Sequence, residues 1–487
     1  MHVRVAVVGA GFGGLGAAIR LRQRGHHDFV VFERAEDLGG TWRDNGYPGC
    51  ACDVPSHVYS FSFALNPTWS NTYSPQPEIW DYLRRVADRY DLRPSIRFGT
   101  EVRQASWDGA ARHWRIETSR ADSFEEWTAD VLISAGGPLN EPIVPKLAGL
   151  ETFQGETFHS ARWNHDADLA GKRVAVIGTG ASSIQIVPAI QPVVGRLSLF
   201  QRTPAWVIPR HERPLRPWEH WTYRRIPGAQ RIMRTIVYWQ VEATVVGFLR
   251  PWVMRYAQRL ALLNLRRAVR DPALRAKLSP DYALGCKRVL KSNTYYPALT
   301  RDNVELVTDP IAEVRPHGVV TRDGTEHPAD VIVFGTGFHV TDLPIAERLR
   351  GRDGRSLAEV WQGSPKAYRG TTVAGFPNLF LLLGPNTGLG HNSVVLMIES
   401  QLNYVMAALD RMRARGLATV EPRPEVQRRY LERLDHRMAS TVWATGGCRS
   451  WYLDPTGRNS TLWPGSTWRF RQRMRRFDAR AYEEVPA

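Results

Sequence analysis

FQGETFHSARWNHDADLAGKRVAVIGTGASS, residues Phe153 to Ser183, decides the fold. Its second half holds an apolar run, Arg173-Val174-Ala175-Val176-Ile177, that leads straight into Gly178-Thr179-Gly180-Ala181-Ser182-Ser183. A buried strand feeding a glycine-rich turn at a helix start is the dinucleotide-binding arrangement: glycines let the backbone approach a pyrophosphate, and the helix N-terminus favours its charge. A nucleotide is therefore expected in the middle of the chain, at Gly178, Thr179, Gly180, Ser182 and Ser183. The first half carries Phe153, Gly155, His159 and Trp163 at spacings of two, four and four residues.

A second unit of the same kind stands at the N-terminus. Val3 to Val8 is an apolar strand with one Arg, followed by Gly9-Ala10-Gly11-Phe12-Gly13-Gly14, a helical stretch to Arg24, and the strand Phe29-Val30-Val31-Phe32 that delivers Glu33. Gly9, Gly11, Phe12, Gly14 and Glu33 are its candidate binding positions, the carboxylate accepting from a ribose 2′-hydroxyl. When the two units are aligned on their first glycines, Glu33 and Arg202 each lie 24 residues on, Arg202 in Phe200-Gln201-Arg202-Thr203. An acid suits an unmodified ribose, whereas Arg suits a 2′-phosphate through charge-assisted hydrogen bonds. FAD is accordingly assigned to the first site, and NADPH rather than NADH to the second, with Arg202 and Thr203 at its ribose end.

Ala129-Asp130-Val131-Leu132-Ile133-Ser134-Ala135-Gly136-Gly137 and Ala329-Asp330-Val331-Ile332-Val333-Phe334-Gly335-Thr336-Gly337 repeat one pattern two hundred residues apart. Each is a short buried strand ending in small residues. They mark an exit from the first domain and a return to it. The expected architecture is α/β, with two Rossmann-like dinucleotide-binding domains, the FAD domain discontinuous. Its parts are residues 1–144 and 329–487, and the NADP domain is 145–328 with a helical insertion at about 211–284.

The pattern FxGxxxHxxxW of Phe153, Gly155, His159 and Trp163 resembles the fingerprint of the type I Baeyer-Villiger monooxygenases, in the flavin-containing monooxygenase superfamily and similar to the 4-hydroxyacetophenone monooxygenases. Leu38-Gly39-Gly40-Thr41-Trp42 and Tyr47-Pro48-Gly49-Cys50-Ala51-Cys52-Asp53 resemble that family's second signature. The resemblance implies that Thr41 and Trp42 touch the flavin, with Tyr59 and Val102 at further flavin and adenine positions, and that Asp53 lies at the active site. It implies likewise that Lys287 meets the NADP 2′-phosphate and that Arg288 stands in the active site, both in Gly285-Cys286-Lys287-Arg288. The reaction implied is NADPH- and O₂-dependent conversion of a ketone to an ester or lactone through a flavin peroxide, with Arg288 and Asp53 as catalytic residues. Asn164, after Trp163, departs from the usual Pro or Asp and keeps nitrogen or sulfur oxidation open. A flavin reductase serving a protein partner is disfavoured, since no CxxxxC pair follows the first site. His391, in Gly388-Leu389-Gly390-His391-Asn392-Ser393, reads first as a structural hydrogen-bonding residue, and Asn392 or Ser393 as the N-cap of a helix over Val394 to about Arg413.

Composition bounds the rest. At 487 residues, 43% hydrophobic and 23% charged, the chain suits two or three globular domains. The net charge of +16 comes from 64 basic against 48 acidic residues, but the basic residues are scattered along the chain, so no nucleic-acid partner is expected. Cys50, Cys52, Cys286 and Cys448 form no CxxC pair and no metal-ligand spacing, which points to a reduced, cytoplasmic setting without a metal. The apolar run Ile236 to Leu249 is interrupted by Gln240 and Glu242 and is shorter than the roughly 20 residues of a membrane span. A buried or amphipathic helix is expected there, with a peripheral membrane contact left open.

Overall fold

The computed structural model describes residues 1–121 and 123–487. Two sheets carry the chain, the first mixed and the second parallel. The first is built from β1 (His2–Val8), β2 (Phe29–Phe32), β3 (Ile96–Arg97), β4 (Thr100–Asp108), β5 (His113–Arg120) and β6 (Ser123–Ser134). The second holds β7 (Glu156–His159), β8 (Arg173–Ile177), β9 (Arg196–Phe200), β10 (Val304–Val307) and β11 (Val331–Phe334). The short strands β12 (Leu349–Arg350) and β13 (Leu379–Leu381) rejoin the first sheet, against β4 and β6.

Both sheets share one plan. The first runs β3-β2-β1-β6 and the second β10-β9-β8-β11, each with its nucleotide strand at the third place, where the crossover order reverses. The strands read as continuous apolar runs because helices cover both faces: Phe29 to Phe32 and Val174 to Ile177 are buried throughout. β11 pairs with β8 and β7, so the strand of the second crossover pattern lies in the second sheet, and the chain returns to the first only beyond Phe334.

The two crossings run side by side. Ile143 N–H donates to Gly337 O at 2.9 Å and His339 N–H to Glu141 O at 2.9 Å, joining the exit and the return as a short antiparallel ladder. The fingerprint residues sit beside this ladder. Gly155 immediately precedes β7, where a Cβ would lie 2.1 Å from Asp330 O, so only glycine fits. His159 is buried at the end of β7, its Nδ1 accepting from Ala161 N–H at 3.1 Å and its ring edge-on to Phe338. Burial pulls its pKa down to about 4, so the ring is neutral. Trp163 packs on Phe158 and, with Arg34 and Asp44 opposite, lines a seam cavity of about 450 Å³.

α1 (Phe12–Gln23) follows β1, and α2 (Ser183–Ile190) follows β8. The helical insertion comprises α3 (Pro217–Arg225), α4 (Ala229–Ala243), α5 (Val245–Leu249) and α6 (Pro251–Ala268). α7 (Val394–Arg415) packs its Leu402 against Gly16 of α1, at a place where a Cβ would stand 2.8 Å away. Among the described residues no helix is long and apolar enough to cross a membrane. Cys286 and Cys448 are joined by a disulfide, which corrects the expectation of four reduced thiols and removes the cysteine argument for a cytoplasmic setting. A pairing over 162 residues leaves no trace in local spacing. Cys50 and Cys52 are free and buried, and burial pushes the Cys50 thiol up to about 12 and Cys52 further. Burial thus disfavours the reactive thiolate at both positions.

Candidate functional site

The first turn is a cradle that side chains could not occupy. Gly9 has φ +98°, and a Cβ on Gly14 would meet Gly9 O at 1.7 Å. Gly11 packs against Gly40, whose own Cβ would lie 3.3 Å from Gly11 Cα, so the two loops close together only with glycine at that point. Glu33 is buried and accepts from Ala10 N–H at 2.8 Å, Ala35 N–H at 3.0 Å and Arg43 at 3.1 Å. A carboxylate offers about four lone-pair sites, so one remains for a ribose hydroxyl. Trp42 donates to the Tyr59 hydroxyl at 3.2 Å, and Tyr59 stands edge-on to Phe12, so three predicted flavin positions form one aromatic cluster. Thr41 lies beside the exit strand, donating to Leu139 O at 3.3 Å. Val102 is buried in β4, on the antiparallel half of the sheet. These residues fit FAD.

The second turn fits NADP. Gly178 has φ +109°, and Thr179 Oγ1 donates to Thr203 O at 2.9 Å, tying the phosphate turn to the segment carrying Arg202. Gly180 stays open beside Gly335, and Ser182 precedes α2 as its N-cap. Arg202 and Lys287 come together from segments 85 residues apart; neither has an ion-pair partner among the described residues. Burial, and then the charge of Arg202, pull the Lys287 pKa down. A phosphate dianion between them would relieve that repulsion.

Asp53 and Arg288 meet where the two domains face each other. Arg288 donates from Nε to Asp53 Oδ2 at 2.6 Å and from Nη2 to Oδ1 at 2.8 Å, a bidentate pair with each side chain about a quarter exposed. Nη1 donates to Leu389 O at 3.3 Å, and Lys291 Nζ to Asp53 O at 3.2 Å. Burial pushes the Asp53 pKa up, but Arg288 and then Lys291 outweigh it and hold it at about 2. Arg288 is raised beyond its ordinary value, because Asp53 outweighs the cost of burial. The site therefore presents a permanent cation whose orientation is fixed by one carboxylate and one backbone carbonyl.

Two neighbours of this pair, and a third residue that holds the loop following Leu389, were not found from sequence. Tyr452 stands beside Arg288 with its hydroxyl buried and unpartnered among the described residues; burial raises it to about 12 despite that cation. Lys291 lies three residues after Arg288 and matches no motif that would single it out. Glu242 is buried on α4 and accepts from His391 Nε2 at 3.3 Å, Asn392 Nδ2 at 2.8 Å, Thr467 Oγ1 and Trp468 N–H. Burial raises its pKa, but His391 and Thr467, with Asn392, bring it to about 2. His391 is thus a structural hydrogen-bonding residue, and Glu242 is the signal that was available: an acid inside an apolar helical run. Ser393 caps α7, its Oγ accepting from Val395 N–H at 3.2 Å. Asn164 is half-buried, its Nδ2 donating to Glu156 at 2.7 Å.

The described residues hold no cluster of acids, histidines and cysteines able to bind a metal. The profile of the flavin-binding monooxygenase-like family matches residues 2–251. A protein of Streptomyces coelicolor named Baeyer-Villiger monooxygenase is 56% identical over 484 residues, covering 99% of this chain and 92% of its own. Cyclohexanone monooxygenase from Rhodococcus sp. Phi1, solved with NADP⁺, superposes with a TM-score of 0.87 at 31% identity over both whole chains. OTEMO, solved with FAD and NADP, does so with a TM-score of 0.89 at 30% identity over 99% of each. Two nucleotide cradles, the oriented cation between them and these likenesses lead to one statement: the chain belongs to the flavin-binding monooxygenase-like family, as an FAD- and NADPH-dependent monooxygenase of the Baeyer-Villiger type.

Proposed function

We propose that the protein inserts one oxygen atom of O₂ beside the carbonyl of a lipophilic ketone, giving an ester or lactone, with Arg288 and Asp53 as its catalytic pair. The observation that carries this reading is the bidentate Asp53–Arg288 contact between the two nucleotide cradles. FAD, reduced by NADPH, would activate O₂. The chain's own task is then electrostatic: a carbonyl oxygen gains negative charge as it is attacked, and a preoriented cation in a water-poor site stabilises that charge. Arg288 supplies a guanidinium that never deprotonates, and Asp53 with Leu389 O aims it. Lys291 keeps Asp53 ionised from the other side. His391 and Asn392, held by Glu242, fix the loop ahead of α7, whose positive N-terminal dipole end favours a reduced, anionic ring. Aerobic NADPH oxidation by the yellow protein, with ester products followed across cyclic, aryl and long-chain ketones, tests the reading. Ketone-dependent ester formation is expected; turnover with sulfides or amines and no ketone would overturn it.

Coenzyme choice follows from Arg202 and Lys287. The double change Arg202→Gln and Lys287→Gln removes both charges that face the 2′-phosphate. We expect KM for NADPH to rise about 100-fold, two charge-assisted contacts being worth about 1.5 kcal/mol or more each, while KM for NADH moves little. Steady-state kinetics with the two coenzymes measures it.

A further inference from the structure

Among the described residues eighteen large apolar side chains are exposed, and eleven of them fall in residues 218–263, the helical insertion. α4 is inside out. Its polar residues Gln230, Arg234 and Glu242, spaced along one face, are at most 8% exposed, while Ile232, Ile236 and Trp239 on the opposite face are 63%, 46% and 52% exposed. The buried polar face has a clear occupant. Gln230 donates to Asn66 O, Arg234 to His57 O at 2.8 Å, and Glu242 accepts from the loop ahead of α7, so this face clamps the insertion onto the flavin domain. The outward apolar face has none. α6 carries a second exposed apolar stripe, Trp252, Tyr256, Leu260 and Leu263, at spacings of four, four and three, 43–67% exposed.

The charges on this surface are all of one sign. From Pro217 to Ala268 the only carboxylates are Glu219 and Glu242, both buried, whereas Arg224, Arg225, Arg231, Arg250, Arg255, Arg259, Arg266 and Arg267 are exposed. None of these eight forms an ion pair with a carboxylate among the described residues. Tryptophan, tyrosine and aliphatic side chains interleaved with unpaired cations match a headgroup boundary: aromatic rings sit at its level, aliphatics enter the acyl layer, and guanidinium groups meet phosphates. A second copy of this chain fits poorly, because an isologous interface would set the same unpaired guanidinium groups against one another.

We propose that α3 to α6 form a peripheral docking surface for an anionic lipid membrane, with Ile232, Ile236, Trp239, Trp252, Tyr256 and Leu260 at the lipid boundary. The inner face of the docked insertion touches His391 and Asn392, so the enzyme would take lipophilic substrates from the layer in which they concentrate. The surface is read from exposure and charge alone, and stands or falls separately from the ketone reading.

The test is flotation of the flavin-loaded enzyme with vesicles of phosphatidylcholine alone or mixed with phosphatidylglycerol, followed by flavin absorbance. Binding to the mixed vesicles, weakened by added salt, is expected. Ile236→Glu with Leu260→Glu should lower it by about tenfold or more, and Arg255→Gln with Arg259→Gln should lower it less and flatten the salt dependence. Retained flavin and an unchanged melting temperature show that each variant is folded. If the glutamate pair loses its flavin, the glutamine pair, which lies wholly on the solvent side, decides alone. Equal binding to both vesicle types overturns the proposal, as does no flotation with the mixed vesicles. So does a wild-type dimer in size-exclusion chromatography that Leu260→Glu dissociates.

Discussion

Arg288→Ala is expected to abolish ketone oxygenation while leaving a folded yellow protein. Losing one preoriented donor to a developing negative charge typically lowers kcat by about 100- to 1,000-fold, and here the donor is also a full charge. The structure says why the fold should survive. Both side chains of the Asp53–Arg288 pair are about a quarter exposed, so an unpaired Asp53 can be hydrated, and Lys291 still donates to its backbone carbonyl. Arg288→Lys keeps a charge but cannot form two parallel hydrogen bonds, and should recover only part of the rate. Asp53→Asn should fall between them, since the cation persists but loses its ionic anchor. The sign of the pH response follows from the same pair. Asp53 is depressed to about 2, so the pair is intact above the ordinary carboxylate range and is lost only as pH falls towards 2. Wild-type activity should show no limb from this pair between about pH 5 and 9, where both partners stay charged. Stopped-flow single turnovers with a responsive ketone, alongside hydrogen peroxide release, separate lost oxygen transfer from lost flavin reduction. An Arg288→Ala enzyme that still oxygenates within tenfold of wild type would remove this residue from the chemistry.

The fold was largely legible because local chemistry repeats. Two apolar strands run into glycine turns, and two crossover strands end in small residues; the structure gives both units the same strand order. Glu33 and Arg202 were recognised from their matched distance to the first glycine, a relation that survives because strand and helix lengths are fixed by the sheet. What was hidden depends on contacts far apart in sequence. Cys286 and Cys448 lie 162 residues apart, and the neighbours of Arg288 from outside its own segment come from three others: Asp53, Leu389 and Tyr452. Glu242 shows a different limit. An acid in an apolar helix was read as an interruption of a buried run, when the helix is turned round: its acid faces inward and its apolar residues face out. Periodicity gives the width of a stripe but not which side the protein lies on.

Gly335→Ala should empty the NADPH site, and Ser183→Gly should restore it. The argument rests on an exchange between the two units. In the first, Gly14 stands in the helix turn, where a Cβ would meet Gly9 O at 1.7 Å, and the crossover strand ends at Ala135. In the second the small residue has moved: the aligned helix position is Ser183 and the aligned crossover position is Gly335. A Cβ on Gly335 would lie 2.0 Å from Ser183 Oγ, whose hydroxyl is buried without a hydrogen-bond partner among the described residues. The helix has also given way. α1 begins at Phe12, whereas α2 begins at Ser183, two residues later than the alignment requires, because a side chain there cannot enter the turn as glycine does. Overpacking of this kind costs about 1–3 kcal/mol, so NADPH binding to Gly335→Ala should weaken by about 5- to 150-fold, with the flavin retained in its own cradle. Ser183→Gly alone removes only an unsatisfied hydroxyl and should change little. The double variant reproduces the Gly14/Ala135 arrangement and should bind NADPH near the wild-type level, a coupling that titration of the oxidised enzyme with NADP⁺ reads directly. If Ser183→Gly fails to rescue, the lost binding has another cause, and the close approach of α2 to β11 is not what shapes this phosphate site.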